Sequence, residues 1–331
     1  MPEEKSHLKE LEVREKQTET VGQLVKARKF LKRRYGRAYV QFAEPLSIKA
    51  YLAQRPLLET EAPREARDHS QDLAYRVIQA INRISVVTPF SLACSALLTY
   101  PRKGVYRREL LQIIEVFHDY LQAQGAPRAE SLEHLPLAVE DALALCEARK
   151  FITPIEKEEG LSDELGLGGY SIDEAKRPSL EYYKNNILHF FLPASLVSMA
   201  ILAGQGFEFR REEVEADFEF LTDFFKNEFI FNDMNHQVQV EKMLEYFCSR
   251  GVVVNLDRQE ASYTLSASGL KELAYFANLL YNYLESYWIV FRSIKYLQKK
   301  PRSEKEFLKR IQSIGNKLHK LGEVERSEAL S

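Results

Sequence analysis

This 331-residue sequence holds little that would suit redox, metal or nucleotide chemistry. Its three cysteines, Cys94, Cys146 and Cys248, lie far apart and fit neither a disulfide framework nor zinc-ligand spacing. Each sits in an apolar helical context, which points to buried structural thiols in a reducing cytosol. No Gly-x-x-x-x-Gly-Lys-Ser/Thr pattern occurs, and Gly160, Gly166, Gly168 and Gly169 are spaced too irregularly for a phosphate loop. Positive charge is not in excess: 46 Lys and Arg face 48 Asp and Glu, for a net charge of −2. The isoelectric point of about 6.4 argues against a dedicated nucleic-acid binder, whose domains usually run basic. The polar start Met1-Pro-Glu-Glu-Lys-Ser-His lacks the apolar core of a signal peptide. Long apolar runs are scarce as well, and the least polar one lies between Asn185 and Phe207, where no charged residue falls.

What is present supports a sizeable core. Hydrophobic residues make up 45% and aromatics 11%, and the length suits two or three packed units. The apolar run organises them. Ser179 can cap a helix start, and Gly204 and Gly206 end the pattern. Pro193 would cost a helix interior a hydrogen bond, so two helices are expected, one ending near Leu192 and one beginning at Pro193. A membrane span needs about 20 apolar residues. Asn185, Asn186, His189 and Pro193 interrupt the run, which therefore reads as a buried helix pair of a peripheral protein; the polar side chains would need internal partners.

Ahead of this stretch, residues 21–37 read as a basic helix. Val21, Leu24, Val25, Leu31 and Tyr35 share one face, while Lys26, Arg28, Lys29, Lys32, Arg33, Arg34 and Arg37 cover much of the rest without an acid among them. Lys26, Lys29, Lys32, Arg33 and Arg34 are the candidate contacts to an anionic membrane or a phosphate; the alternative is a solvated face packed on a sheet. Arg37-Ala-Tyr-Val-Gln-Phe-Ala43 alternates like a strand and stops at Glu44-Pro45. One helix and one strand are the end of an α/β domain rather than a domain, since a lone strand leaves its ladder bonds unmade.

The remainder is mainly α. Residues 54–68 read as a charged linker, 70–84 as a helix with Leu73, Val77, Ile81 and Ile84 on one face, and 90–98 as a short apolar helix after Ser85-Val-Val-Thr-Pro89. Two segments then share a layout. Helices at 104–124 and 137–149 precede a strand at 151–155; helices at 211–231 and 237–249 precede a hairpin at 251–256 and 261–265. Helix, helix, ribbon is a winged-helix-like arrangement. Its second helix would face nucleic acid, yet only Lys242 there is basic, and the helix before it carries Glu212, Glu213, Glu215, Asp217, Glu219 and Asp223, which would repel phosphates. No nucleic-acid partner is expected. Residues 156–177 form a polar connector. From 268 to 298 a heptad stripe of Leu270, Leu273, Ala277, Leu280, Leu284, Tyr287, Phe291 and Ile294 predicts one long helix, packed on the core or forming a homodimer seam through 270–294. Phe307, Leu308, Ile311, Ile314, Leu318 and Leu321 mark a final amphipathic helix. The domain division is 1–50, 51–160 and 161–331.

Several short stretches resemble, in order, bacterial glycerol-3-phosphate 1-O-acyltransferases. They are Glu19-Thr-Val-Gly-Gln-Leu-Val-Lys-Ala-Arg-Lys29, Tyr35-Gly-Arg-Ala-Tyr-Val-Gln-Phe-Ala-Glu-Pro45, Arg83-Ile-Ser-Val-Val-Thr-Pro89 with Ala93 and Leu97-Leu98, Tyr182-Tyr-Lys-Asn-Asn-Ile-Leu-His-Phe-Phe191, Leu284-Glu-Ser-Tyr-Trp288 and Gly322-Glu-Val-Glu-Arg-Ser-Glu-Ala-Leu-Ser331. Ala43 departs mildly, standing where the family more often has glycine. The resemblance implies acyl transfer from acyl-CoA or acyl carrier protein to the first hydroxyl of glycerol 3-phosphate, the first step of phospholipid synthesis, at the cytoplasmic membrane face. It also makes residues 1–50 the end of the acyltransferase α/β domain.

In that family a His-x4-Asp pair does the chemistry, with the histidine as general base and the aspartate orienting it. Here the residues five positions after His7, His69, His118, His134, His189, His236 and His319 are Glu12, Ala74, Ala123, Val139, Ala194, Glu241 and Val324. None is aspartate, and the family's later substrate motif with glycine and arginine is absent. No catalytic, cofactor or metal residue carries over. The chain is expected to begin after the active site, to stop before the natural end, and to have the catalytic half as its partner. No nucleophile elbow replaces the missing pair, and adjacent His118-Asp119 suits neither a triad nor a metal. The alternative is a non-catalytic helical interaction module.

Overall fold

The computed structural model describes residues 37–54, 63–101, 104–155, 168–204, 206–231, 235–257, 261–297 and 303–330. Twelve α-helices and two small sheets occupy them, so the fold is mainly α as the sequence predicts. The basic segment 21–36 lies outside the described residues, and Lys26, Lys29, Lys32, Arg33 and Arg34 with it.

Residues 37–43 do not form the expected strand: no neighbour pairs with them among the described residues, and Val40 and Phe42 are exposed. Alternation alone does not hold a strand whose ladder bonds have no partner. Helix α1 (Ile48–Gln54) follows. Helix α2 (Pro63–Ile84) begins seven residues before the expected start at 70, with proline at its first position, where a missing N–H costs nothing. Helix α3 (Pro89–Leu98) starts on a reciprocal cap: Ser91 N donates to Thr88 Oγ1 and Thr88 N to Ser91 Oγ, each at 3.1 Å.

The first unit is β1 (Gly104–Tyr106), α4 (Arg107–Ala123), α5 (Leu135–Ala148), β2 (Ile152–Ile155) and β3 (Gly169–Ile172). Its antiparallel sheet runs β1-β3-β2, with Val105 opposite Tyr170 and Pro154 opposite Tyr170 on the other side. Two expectations change here. Residues 104–106 are a strand rather than a helix start, and the glycine-rich connector supplies the central strand. Gly169 permits that pairing, because a Cβ there would stand 2.6 Å from the Val105 carbonyl oxygen.

Helices α6 (Arg177–Asn185) and α7 (Leu188–Ala203) form the apolar pair. The break falls at Asn186 and Ile187, not at Pro193, which stands inside α7; Ser179 lies buried within α6 instead of capping it. No single helix among the described residues is long and apolar enough to cross a membrane. The segments Glu174–Asn185 and Leu188–Ala203 pass together only by length and composition, and they are bent by 100°. Helix α7 is apolar on all sides and is buried on all sides.

The second unit repeats the order: β4 (Glu208–Arg210), α8 (Arg211–Phe224), α9 (His236–Ser249), β5 (Val253–Asp257) and β6 (Ser262–Leu265), with sheet order β4-β6-β5. Its first helix stops at Phe224, short of the expected 231. Around α7 the rings of Phe117, Tyr120, Phe191 and Phe276 cluster, with Phe117 tilted at 4.9 Å and Tyr120 stacked at 5.6 Å from Phe191 and Phe276 edge-on to Tyr120. This aromatic cluster joins α4, α7 and the next helix into one core.

The predicted long C-terminal helix is two helices, α10 (Gly269–Asn278) and α11 (Tyr281–Ile294), broken at Leu279 and Leu280. Leu273, Ala277 and Leu280 of the heptad stripe are buried in this chain's own core, while Leu270, Phe291 and Ile294 stay exposed. Helix α12 (Glu304–Lys320), capped by Ser303, packs on α11, and a short 3-10 turn (Ser327–Leu330) closes against α6 and α11.

Candidate functional site

The hub of the protein is the α6–α7 pair, and it has two polar faces. On the first, helix α6 presents Arg177, Glu181 and Lys184 to the C-terminal helices. The Lys184 ammonium donates to the Leu279 carbonyl at 3.1 Å and to Asn282 Oδ1 at 3.0 Å, and stands 3.6 Å from Glu181. Leu279 is the residue at which the C-terminal helix breaks. Its carbonyl, turned out of the helical ladder, is satisfied by a side chain from another element. Asn282 in turn donates to Glu181. Arg177 donates to both oxygens of Glu328, at 2.6 and 2.9 Å, and to the Tyr100 carbonyl at 3.0 Å. Arg326 donates to Asn278 Oδ1 at 2.9 Å, and Glu285 accepts the backbone N–H groups of Glu325 and Arg326.

Three cations (Arg177, Lys184, Arg326) thus share a largely buried space with three acids (Glu181, Glu285, Glu328). Burial lowers the Lys184 pKa, an effect that Glu181 and Glu328 partly offset, and burial raises Glu181 against the pull of Lys184. Burial would raise Glu328 too, but the Arg177 guanidinium outweighs it and holds this carboxyl below the usual range. The cluster has matched charge and no nucleophile. Chemically it is a clasp that fixes 327–330 and α11 onto α6.

The second face is a cleft of about 180 Å³ between the end of α2, α4, the start of α7 and α9. His189 Nε2 lies 2.9 Å from the Asn82 carbonyl oxygen, and since a carbonyl only accepts, Nε2 carries the proton. Burial pushes this imidazole down to about 4, so it is neutral at pH 7. Gln79 Nε2 donates to the Phe231 carbonyl at 3.0 Å, the second tie holding α2 to the body. Tyr120, Phe190 and Met243 floor the cleft, and Arg83 and Lys242 stand at its rim.

The other expected groups do not form a reactive site. His118 Nδ1 lies 3.8 Å from Asp119, but Asp119 is held by Arg250 at 2.8 Å and His118 faces Arg128. Burial, followed by the Arg128 charge, lowers the His118 pKa despite Asp119. His319 Nδ1 meets the Val324 carbonyl, and His236 packs on the Phe218 ring. Cys94 and Cys146 are buried and Cys248 is half-buried. Among the described residues no group of three or more His, Cys, Asp or Glu could hold a metal ion. Asn185 accepts from Tyr283 at 3.2 Å, and Asn185 and Asn186 are both exposed rather than buried as expected.

Sequence reasoning missed both the clasp and the cleft, although the sequence carries a signal for each. The acyltransferase-like stretches 182–191, 284–288 and 322–331 are the ones that meet in the clasp, and 83–89 meets 182–191 at the cleft.

These described residues define a mainly α packing region assembled around the α6–α7 pair. The family model for the glycerol-3-phosphate acyltransferase C-terminal region matches residues 7–331, and the chain belongs to that family. It is 24% identical to a glycerol-3-phosphate acyltransferase of Shewanella loihica over 90% of this chain and 36% of that protein. With the protein of the same name from Pseudoalteromonas atlantica it shares 27% identity over 94% of this chain and 36% of that protein. With the one from Aeromonas hydrophila it shares 31% over 56% of this chain and 22% of that protein. The chain therefore spans about a third of the length of the curated relatives that it matches most fully.

Proposed function

We propose that this chain is an accessory, non-catalytic part of a glycerol-3-phosphate acyltransferase. The family match over 7–331 carries that reading. The whole enzyme would transfer an acyl chain from a thioester to the first hydroxyl of glycerol 3-phosphate, with the histidine–aspartate pair supplied by a separate catalytic half. The present residues act as a helical platform for that half. Their two β-α-α-β-β units are winged-helix-like modules used for packing, since α8 is acidic and α9 has only Lys242 as a cation. The protein sits peripherally on the cytoplasmic face of the cell membrane, held through the cations of residues 26–34. If a second copy packs along 270–294, it does so through the exposed remainder of the stripe, Leu270, Phe291 and Ile294.

The test is an assay of the purified chain with labelled glycerol 3-phosphate and acyl-CoA. No turnover is expected. Turnover that one histidine substitution abolishes would overturn the non-catalytic assignment.

A further inference from the structure

We propose that the cleft between α2, α4, α7 and α9 binds a phosphomonoester group. Three features of the cleft carry the proposal. Its lining contains two cations and no carboxylate. Arg83 comes from the last turn of α2 and Lys242 from the second turn of α9, 159 residues apart in sequence, so the fold and not a local charge run brings them to one opening. Neither enters an ion pair or a hydrogen bond among the described residues. Among the described residues, the other cations of the second unit, Arg210 excepted, are committed: Arg211 to Glu215 and Glu241, Arg250 to Asp119 and Glu272, and Lys226 to Asp223; on the neighbouring α10, Lys271 pairs with Glu109. Two cations left over at one concavity match a dianion, and a phosphomonoester carries roughly −1.5 to −2 at pH 7.

The remaining walls suit the same ligand. Gln124 and Gln239 bring amides to the rim. Tyr120, Phe190 and Met243 make a low-dielectric floor, against which charge-assisted hydrogen bonds are stronger than in open water. His189, its Nε2 proton given to Asn82, keeps Nδ1 as a lone-pair acceptor and adds no charge, so the attraction for an anion falls on Arg83 and Lys242. Pro193 also lines the cleft; having no N–H, it leaves the His189 carbonyl without the donor a regular helix would place there. An acceptor beside a phosphate pocket favours an ester that also carries a hydroxyl. The volume of about 180 Å³ admits one small headgroup and not an acyl chain. The group could arrive as a free phosphate ester or as the headgroup of a phosphatidate lipid. The proposal stands on the cleft itself and does not depend on the acyltransferase reading.

The test uses the full chain. Inorganic phosphate is titrated calorimetrically at low salt, with acetate as the monoanion control, and sedimentation is measured with phosphatidate and with phosphatidylcholine vesicles. The variants are the double substitution Arg83→Gln with Lys242→Gln, the charge reversal Lys242→Glu, and Lys305→Gln on α12 as a remote control. Both cleft side chains are exposed and unpaired, so the variants should keep the wild-type circular dichroism. Losing two charge-assisted contacts should weaken phosphate binding about tenfold or more. Lys242→Glu should weaken it as well, while Lys305→Gln leaves it unchanged. Saturable binding of free phosphate assigns the site to a soluble ester. Binding seen only with phosphatidate vesicles, and lost in the same variants, assigns it to the lipid headgroup; either result supports the shared chemistry. Equal affinity in wild type and cleft variants would overturn the proposal, as would acetate binding as tightly as phosphate or no binding to phosphate and phosphatidate alike.

Discussion

Replacing Glu328 by glutamine tests the clasp most sharply. The change keeps the side chain's shape and removes one charge. Both partners of the pair expose only 2% of their side chains, and the two contacts are 2.6 and 2.9 Å. After the substitution the Arg177 guanidinium stays buried with neutral acceptors alone, and an uncompensated buried charge costs about 3–5 kcal/mol. For a chain of this size that corresponds to a fall in Tm of about 4–7 °C. The control is Glu140→Gln, which breaks the half-exposed Arg107–Glu140 pair and should cost no more than about 1 kcal/mol. Urea denaturation at pH 7, followed by circular dichroism, measures both. The acid side adds a second readout. Because Arg177 holds Glu328 below the usual carboxylate range, the pair's stability is present above the unfolded carboxyl's pKa and is lost as pH falls through the folded one. Glu181 and Glu285, which burial raises, act in the opposite sense, so the difference between wild type and Glu328→Gln isolates the Glu328 contribution. A cost within about 1 kcal/mol of the surface control would refute the clasp.

Three further outcomes follow from the structure. Burial depresses His189 from 6.5 to about 4, so stability should fall as pH drops through that interval, by up to about 3 kcal/mol, and His189→Gln should flatten the slope; an unchanged slope would mean that the ring is hydrated. Ser195 and Ser198 are fully buried in α7 with hydroxyls that meet no partner, so Ser195→Ala and Ser198→Ala should each raise the urea midpoint, by about 1 kcal/mol in stability, and a lowered midpoint would reveal a bond to the hydroxyl. Converting Lys29, Lys32 and Arg33 to glutamine should weaken sedimentation with anionic vesicles only, since each cation near such a surface contributes about 1 kcal/mol, and high salt should erase the difference; equal binding would leave that face merely solvated.

Much of the helical order was legible because local chemistry marks it. Thr88-Pro89 opens α3, the apolar spacing from Phe307 to Leu318 marks α12, and Gly204 ends α7. The misreadings share a physical cause. Helix α7 is apolar all round, so its pattern carried no period to locate the break, and Pro193 was given a role that Asn186 and Ile187 fill. The strands Gly104–Tyr106 and Glu208–Arg210 are three residues long and exist through partners 63 or more and 52 or more residues away, which no local alternation reveals. The stripe of 268–298 kept its heptads while the helix broke at Leu279, where a lysine 95 residues earlier captures the carbonyl. Arg177 and Glu328 are 151 residues apart, and of the two only Glu328 lies in an acyltransferase-like stretch, so nothing local pairs them. The spacing itself needs no fold to be read: none of the seven histidines has an aspartate five positions on.

The measurement that bears most directly on the account is acylation of glycerol 3-phosphate by the Shewanella loihica relative in three forms. These are the intact protein, the protein without the region that this chain matches, and that truncated protein joined to residues 7–331 of this chain. The account predicts that labelled glycerol 3-phosphate is acylated by the intact form, is left unacylated by the truncated form, and is acylated again once this chain is attached. Undiminished turnover by the truncated form would contradict it, because the platform would then have no part in the enzyme's work.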